Sequence, residues 1–231
     1  MVKVNHLKAA TARYFATPDH TLHIKKGQFL FRQQDIVSDL YLIRQGHVII
    51  NKMTPDGREL TLRILGPGDL IEEVFMQEEA THRYLVDAKA TEATVLFVYP
   101  QGQLRQTLAS DAEALVDILQ YSQLNNQKDQ TKFRDLILHG KKGALYSTLI
   151  RLTNSYGIKQ ADGILIDHLL TNQELANFCA TSRESVNRLL SPLKKQQIIS
   201  ERDGKLVIHD LDYLKKVINC ENCPIVLCTI N

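Results

Sequence analysis

The last dozen residues hold the densest reactive chemistry of the chain, Cys220-Glu-Asn-Cys223-Pro-Ile-Val-Leu-Cys228, a C-x2-C-x4-C run. Three soft thiolates this closely spaced can converge on one metal centre, and in a reducing compartment the usual occupants are an iron–sulfur cluster or zinc. Pro224 enforces a turn directly after Cys223 and removes one backbone donor, which suits a ligand loop. Ile225, Val226, Leu227 and Ile230 make the segment too apolar to be expected free in solvent. Cys179 stands apart, follows Phe178, and reads as a small core residue rather than a ligand.

A second chemistry lies upstream. Thr171-Asn-Gln-Glu174 and Thr181-Ser-Arg-Glu184 both match the box in which Thr caps a helix and an acid returns the hydrogen bond. The spacing predicts two helices beginning ten residues apart, a helix-turn-helix. The second, expected over Ser182 to Gln196, carries Arg183, Glu184 and Arg188 in its first two turns, the end such a protein inserts into the major groove. Arg can bond guanine O6 and N7, and Glu can accept from cytosine N4, so the trio can read G·C pairs. Between Arg183 and Lys205 six Lys or Arg face three acids, a local +3 available to phosphates on a chain whose net charge is only +2.

The elements that must position these groups follow from composition and periodicity. A chain of 231 residues with 44% hydrophobic and 23% charged content excludes disorder. The longest apolar runs, such as Val95 to Tyr99, are far below the ~20 residues that span a bilayer, and Met1 to Thr17 lacks an apolar signal core. The expectation is a cytoplasmic chain with no membrane partner. From about residue 20 to 100, runs such as Gln28–Phe31, Leu40–Ile43, His47–Ile50, Leu60–Ile64 and Thr94–Val98 alternate with turn glycines and read as an all-β unit. Asp111 to His139 contains no Pro or Gly, and Leu115, Ile118, Leu119, Leu136 and Ile137 recur at helical spacing. This predicts one long helix whose polar middle, Asn125 to Gln130, lets it pair with a copy of itself only weakly. A further helix is expected at Ala144 to Ser155, and a compact tail at Thr171 to Asn231.

Lys26-Gly27 through Phe31, Leu40-Tyr41-Leu42-Ile43 with Gly46, Asp56-Gly57-Arg58-Glu59, Gly66-Pro67-Gly68-Asp69-Leu70, and Leu175 through Leu190 with Ser182-Arg183-Glu184 and Arg188 resemble the CRP/FNR superfamily of bacterial transcription regulators. The resemblance implies an α+β architecture of three parts. These are a β-roll (double-stranded β-helix) of the cyclic-nucleotide-binding type over residues 1–110, a dimerisation helix over 111–139, and a winged helix-turn-helix with a cysteine tail over 140–231. It also implies a homodimer on palindromic promoter DNA, Ser182, Arg183, Glu184 and Arg188 at each half-site, and RNA polymerase as a further partner.

Cyclic nucleotide is the family's default effector, but the matching stretch departs from that pattern. Glu73 and Arg83 stand where the family has its glutamate and arginine, whereas Glu72 replaces a glycine and Tyr84 a serine. Between Asp69 and Glu92 seven acids face Arg83 and Lys89, a local −5 that repels phosphate.

The stretch Arg134-Asp-Leu-Ile-Leu-His139-Gly-Lys-Lys-Gly-Ala-Leu-Tyr-Ser-Thr148, with the Cys-Glu-Asn-Cys-Pro tail, is similar to the Bacillus-type FNR branch. That likeness implies a [4Fe–4S] cluster held by Cys220, Cys223 and Cys228, with Asp135 as the fourth ligand. Residue types alone leave Asp135 open to pairing with Lys132 or Lys142 on a helix surface, with His139 as the rival ligand. The branch implies an anaerobic, oxygen-responsive regulator, in which a cluster shared by the dimer helix and the tail fixes the DNA-binding geometry.

Two other readings use the same residues: a zinc-bound or metal-free tail with a small organic effector in the β-roll, or haem on Cys223-Pro224. Catalysis is not expected, because the chain carries no nucleophile elbow, no phosphate loop and no zinc-spaced His–Glu pair.

Overall fold

Residues 3–54, 57, 59–71 and 82–231 are described by a computed structural model. The β-branched and aromatic runs of the first hundred residues form β1 (His20–Ile24), β2 (Phe29–Phe31), β3 (Asp39–Gln45), β4 (Val48–Met53), β5 (Glu59–Leu65), β6 (Leu70–Ile71), β7 (Asp87–Ala90) and β8 (Thr94–Pro100). They assemble as two four-stranded sheets, β1-β8-β3-β6 and β2-β7-β4-β5. Their facing sides enclose Ile43, Val48, Ile50, Ala88, Leu96 and Val98. This is the β-roll, and it contains three strands outside the runs read from patterning, the two-residue β6 and two others. Strand β1 is a mostly exposed edge, and Asp-Ala-Lys-Ala in β7 is poor in strand formers but buried between β2 and β4.

Helices α1 (Ala9–Ala12) and α2 (Gln101–Ala109) flank the stretch expected to be all-β. With Phe15, Leu40, Leu42, Tyr99 and Ile118 their apolar residues fill a second core on the outer face of the first sheet. Tyr84, which stands in place of the family's serine, is buried and stacks on Phe31 with centroids 3.5 Å apart. Arg83 donates to the Gln34 carbonyl at 2.7 Å. Asp56, Arg58, Glu72, Glu73, Glu78 and Glu79 lie outside the described residues, and with them four of the seven acids counted between Asp69 and Glu92.

Helix α3 (Ala112–Tyr156) breaks at Gly140, whose φ of +60° lies in the left-handed region that only glycine adopts cheaply. The long helix therefore stops where the sequence predicts, and a second one follows at once. Its apolar residues divide differently from expectation. Ile118 is buried in the core on the first sheet, and Leu136 packs against the C-terminal core. Val116, Leu119, Phe133 and Ile137 face outward.

After α3 come β9 (Gly157–Gln160), β10 (Gly163–Ile166), α4 (Asn172–Phe178), α5 (Arg183–Lys195), β11 (Ile199–Arg202), β12 (Lys205–Ile208) and α6 (Leu211–Val217). The four strands form one antiparallel sheet, β11-β12-β10-β9. Its β11–β12 hairpin turns at Asp203 and Gly204, both at positive φ, and forms the wing. Leu145, Leu149, Leu152, Leu175, Cys179, Val186, Leu190 and Leu214 make the core.

The chain divides into two compact units, residues 1–53 with 62–125 and residues 54–61 with 126–231. No helix among the described residues is long and apolar enough to cross a membrane.

Candidate metal centre and nucleic-acid interface

The capping residues fix the helix-turn-helix. Thr171 accepts from the Glu174 N–H at 3.2 Å and Glu174 returns the bond to the Thr171 N–H at 2.7 Å, so the first box forms as read. The second does not. Ser182, not Thr181, caps α5 by accepting from the Ser185 N–H at 3.3 Å, and the Thr181 hydroxyl is buried without a hydrogen-bond partner. The shift of one residue places Glu184 at the second position of the helix, free to point outward. Val186, Leu190 and Leu193 bury the inner face of α5, leaving Arg183, Glu184, Asn187 and Arg188 exposed together on its outer N-terminal face. The Glu184 carboxyl is held below its ordinary range by its own backbone N–H and the Ser182 side chain, so it is ionised at neutral pH.

Of the six cations between Arg183 and Lys205, three are engaged by acids of the same unit. Lys194 meets Glu201 at 2.7 Å, Arg202 meets Asp162 at 2.6 Å, and Lys205 meets Asp167 at 2.6 Å. The free excess is therefore smaller than the sequence count. Among the described residues no ion pair engages Arg183, Arg188 or Lys195. Asn187, which the sequence reading passed over, shares this face and accepts from the Asn172 amide. Its amide matches the adenine edge as arginine matches guanine.

On α3, Asp135 is not a surface acid. It is 5% exposed, and its partners are neither of the lysines expected from residue types. Lys132 reaches Asp129 at 3.5 Å, and Lys142 lies over the Tyr146 ring. Asp135 Oδ1 accepts from Arg134 Nε at 3.1 Å and Nη2 at 2.8 Å. Asp135 Oδ2 accepts from Arg151 Nη2 at 3.1 Å and from the Ser147 hydroxyl. Burial alone would raise this carboxyl, but donation from Ser147, Arg134 and Arg151 outweighs it and holds the group below its usual range.

A cavity of about 270 Å³ is lined by Asp135, Cys220, Cys223 and Cys228, together with His139, Arg134, Ser147 and Arg151. The four sequence-predicted ligands thus share one chamber, although Asp135 and Cys220 are 85 positions apart. The rival His139 is on the same wall. Burial pushes the Cys228 thiol up, Arg151 opposes this, and Cys220, Cys223 and Asp135 add to the rise. Arg134 Nη1 and Nη2 lie 3.9 and 4.0 Å from Cys223 Sγ and the guanidinium also pairs with Glu221. Among the described residues, no three His, Cys, Asp or Glu side chains converge closely enough to hold one metal ion. Cys179, by contrast, is fully buried in the core and its thiol is pushed up to about 12 by burial.

The tail is held differently from the apolar docking expected. Ile225 and Val226 are exposed; of the apolar set only Ile230 is fully buried. Polar straps do the rest, because Arg151, Asn154 and Ser155 lie on one face of the helix after Gly140 and catch the tail in succession. Arg151 Nη1 donates to the Leu227 carbonyl at 2.9 Å, Asn154 donates to the Cys228 carbonyl at 2.7 Å, and Ser155 accepts from the Ile230 N–H at 2.9 Å. The buried Lys128 ammonium donates to a main-chain oxygen of Asn231 at 2.8 Å. None of these residues was singled out by sequence; the one available signal was a polar i, i+3, i+4 face on an otherwise apolar helix.

Comparison with known proteins places these features in context. The cyclic nucleotide-binding domain model matches residues 21–111 and the Crp-like helix-turn-helix domain model matches residues 143–217. The chain is 45% identical over 209 residues to the anaerobic regulatory protein of Bacillus subtilis (strain 168), covering 90% of this chain and 87% of that protein. It is 25% identical over 193 residues to the CRP-like cAMP-activated global transcriptional regulator of Mycobacterium tuberculosis (strain ATCC 25618 / H37Rv), covering 83% and 84%. Among solved structures, the c-di-GMP responsive global regulator CLP of Xanthomonas campestris superposes with a TM-score of 0.75 at 23% identity, over 87% of this chain and 99% of that one.

Proposed function

Because the chain belongs to the CRP/FNR family of transcription regulators, we propose that it is an oxygen-responsive regulator that binds palindromic promoter DNA as a homodimer and holds a [4Fe–4S] cluster through Cys220, Cys223, Cys228 and Asp135. Its relatives and fold are those of DNA-binding regulators, not enzymes. The observation that carries the finer reading is the shared cavity: three thiols and one carboxylate face it from the tail and the dimer helix. A cavity of about 270 Å³ lined by three thiols and a carboxylate has room for a multi-atom centre, and soft thiolates suit iron–sulfur chemistry. The name of the Bacillus subtilis relative, an anaerobic regulatory protein, agrees with this reading.

When bound, such a cluster supplies oxygen-labile redox chemistry. The protein's own residues supply the rest. Asp135 precedes the Gly140 break, whereas the cysteines follow α6, so a centre gripping both ties the dimer helix to the helix-turn-helix. The buried Arg151 offsets negative charge at the cavity wall. Support for pairing comes from α3. Val116, Leu119, Gln123, Asn126, Gln130, Phe133 and Ile137 fall at alternating spacings of three and four, and all are exposed. This is the a/d seam of a two-stranded coiled coil, apolar at both ends and polar in the middle. Two-fold pairing would present the Arg183, Glu184, Asn187 and Arg188 face to two half-sites.

Iron and acid-labile sulfide per subunit, measured with a visible spectrum on protein purified without oxygen, test the proposal. About four of each is expected by the [4Fe–4S] formula, bleached by air and lost in Cys220→Ser, Cys223→Ser or Cys228→Ser. A colourless protein, with or without zinc, would overturn it.

A further inference from the structure

The two oxygens of Asp135 are held by partners of opposite character. Oδ2 is gripped by Ser147 and Arg151, both buried, on the helix that follows Gly140. Arg151 is itself fixed: its Nε donates to Ser147 Oγ at 3.2 Å, Nη2 to Thr131 Oγ1 at 3.1 Å and Nη1 to the Leu227 carbonyl at 2.9 Å. Neither donor can leave Oδ2 without breaking this network. Among the described residues Oδ1 is held only by Arg134, whose side chain is 29% exposed and whose remaining partners, Glu221 and Cys223, belong to the cysteine loop. When Arg134 lets go, water can take over its donors, and the buried Oδ1 is then left for another partner to satisfy.

Granting that Asp135 ligates the cluster, we infer that Ser147 and Arg151 are positioning residues that lock Oδ2, that Oδ1 alone is offered to the metal centre, and that Arg134 competes with the centre for Oδ1. Hydrogen-bonded partners of a ligating carboxylate fix its orientation, and their loss typically costs ~10–100-fold in metal affinity. Arg134 works in the other direction. It satisfies Oδ1 when no metal is bound, and so stabilises the metal-free site at the expense of the loaded one. Residues touching a single carboxylate thereby act on cluster retention with opposite signs, which a purely structural role for all three would not produce.

The full-length protein is loaded without oxygen using ferrous iron and sulfide, and the decay of its visible absorbance is followed in a ferrous chelator and, separately, after a measured addition of oxygen. Thermal melting of the metal-free protein is recorded in parallel. Ser147→Ala and Arg151→Gln are expected to lose the cluster ~10-fold or more faster than wild type. Ser147→Thr and Arg151→Lys, which keep a donor, restore part of the retention. Arg134→Gln is expected to lose the cluster more slowly than wild type while melting lower in its metal-free form. Asn154→Ala, which loosens the tail at Cys228 without touching Asp135, sets the baseline for tail anchoring alone. An Arg134→Gln rate equal to or faster than wild type, or Ser147→Ala and Arg151→Gln rates no faster than Asn154→Ala, overturns the inference. A wild-type protein that takes up no iron removes the underlying reading of Asp135 before any variant is compared.

Discussion

Replacing Arg151 by methionine in the metal-free protein removes a cation whose side chain is 3% exposed, while keeping most of its apolar volume. Four hydrogen bonds disappear, to Asp135, Ser147, Thr131 and the Leu227 carbonyl. The charged bond to Asp135 is worth ~1.5–3 kcal/mol and the neutral-acceptor bonds ~1 kcal/mol each. The sum, discounted because Asp135 keeps Ser147 and Arg134, is ~3–5 kcal/mol, the usual cost of breaking a buried pair. The exposed pair Lys194–Glu201 serves as the control, since Lys194→Met should cost at most ~1 kcal/mol. Cys179 provides a probe confined to the C-terminal unit, because its thiol is buried and pushed up to about 12, hence inert until that unit opens. Its alkylation, followed by peptide mass spectrometry against urea, should shift its midpoint downward by ~1.5–2.5 M in Arg151→Met, taking a slope of ~2 kcal/mol per M. A midpoint no lower than that of Lys194→Met would refute the buried network as the clamp of this unit.

Arg183→Ala and Arg188→Ala should each weaken binding to the cognate site by ~1–3 kcal/mol and relax base preference there, whereas Lys195→Ala should weaken all sequences alike, as read by fluorescence anisotropy across a salt series. On the α3 seam, Ile137→Asp should shift the protein to monomer in analytical ultracentrifugation, and Asn126→Leu should tighten the dimer by removing a polar seam position. Asp111 is held below the ordinary carboxylate range by the Ala114 N–H and the Tyr14 hydroxyl, so its contribution is present above the unfolded pKa of ~3.9 and lost as pH falls through the lower folded value. The melting-temperature gap between wild type and Asp111→Asn should therefore be open at pH 5 and close toward pH 3.

The helix-turn-helix, the long helix and the cysteine tail were legible because each rests on local chemistry: a capping box, a period near 3.6, and thiols in short spacing. The register of the second cap was misread because Thr181 and Ser182 are both competent caps, and the choice between them is made by burial of the Thr181 hydroxyl. Asp135 became a candidate only by resemblance. Its partners Ser147 and Arg151 reach it across the Gly140 break, a tertiary contact with no periodic trace in the sequence. The basic count over the wing was overstated for the same reason, since Asp162 in the β9–β10 turn and Asp167 just after β10 neutralise Arg202 and Lys205. Strand β7 escaped notice because its sheet neighbours, not its own residues, make Asp-Ala-Lys-Ala a strand.

The most direct test of the account is the affinity of one palindromic promoter site for cluster-loaded and cluster-free protein, measured without oxygen at the same salt concentration. Tighter binding by the loaded protein, abolished by Cys223→Ser, is the expected result. Equal affinity of the two forms would contradict the coupling between the cysteine cavity and the DNA-reading helix.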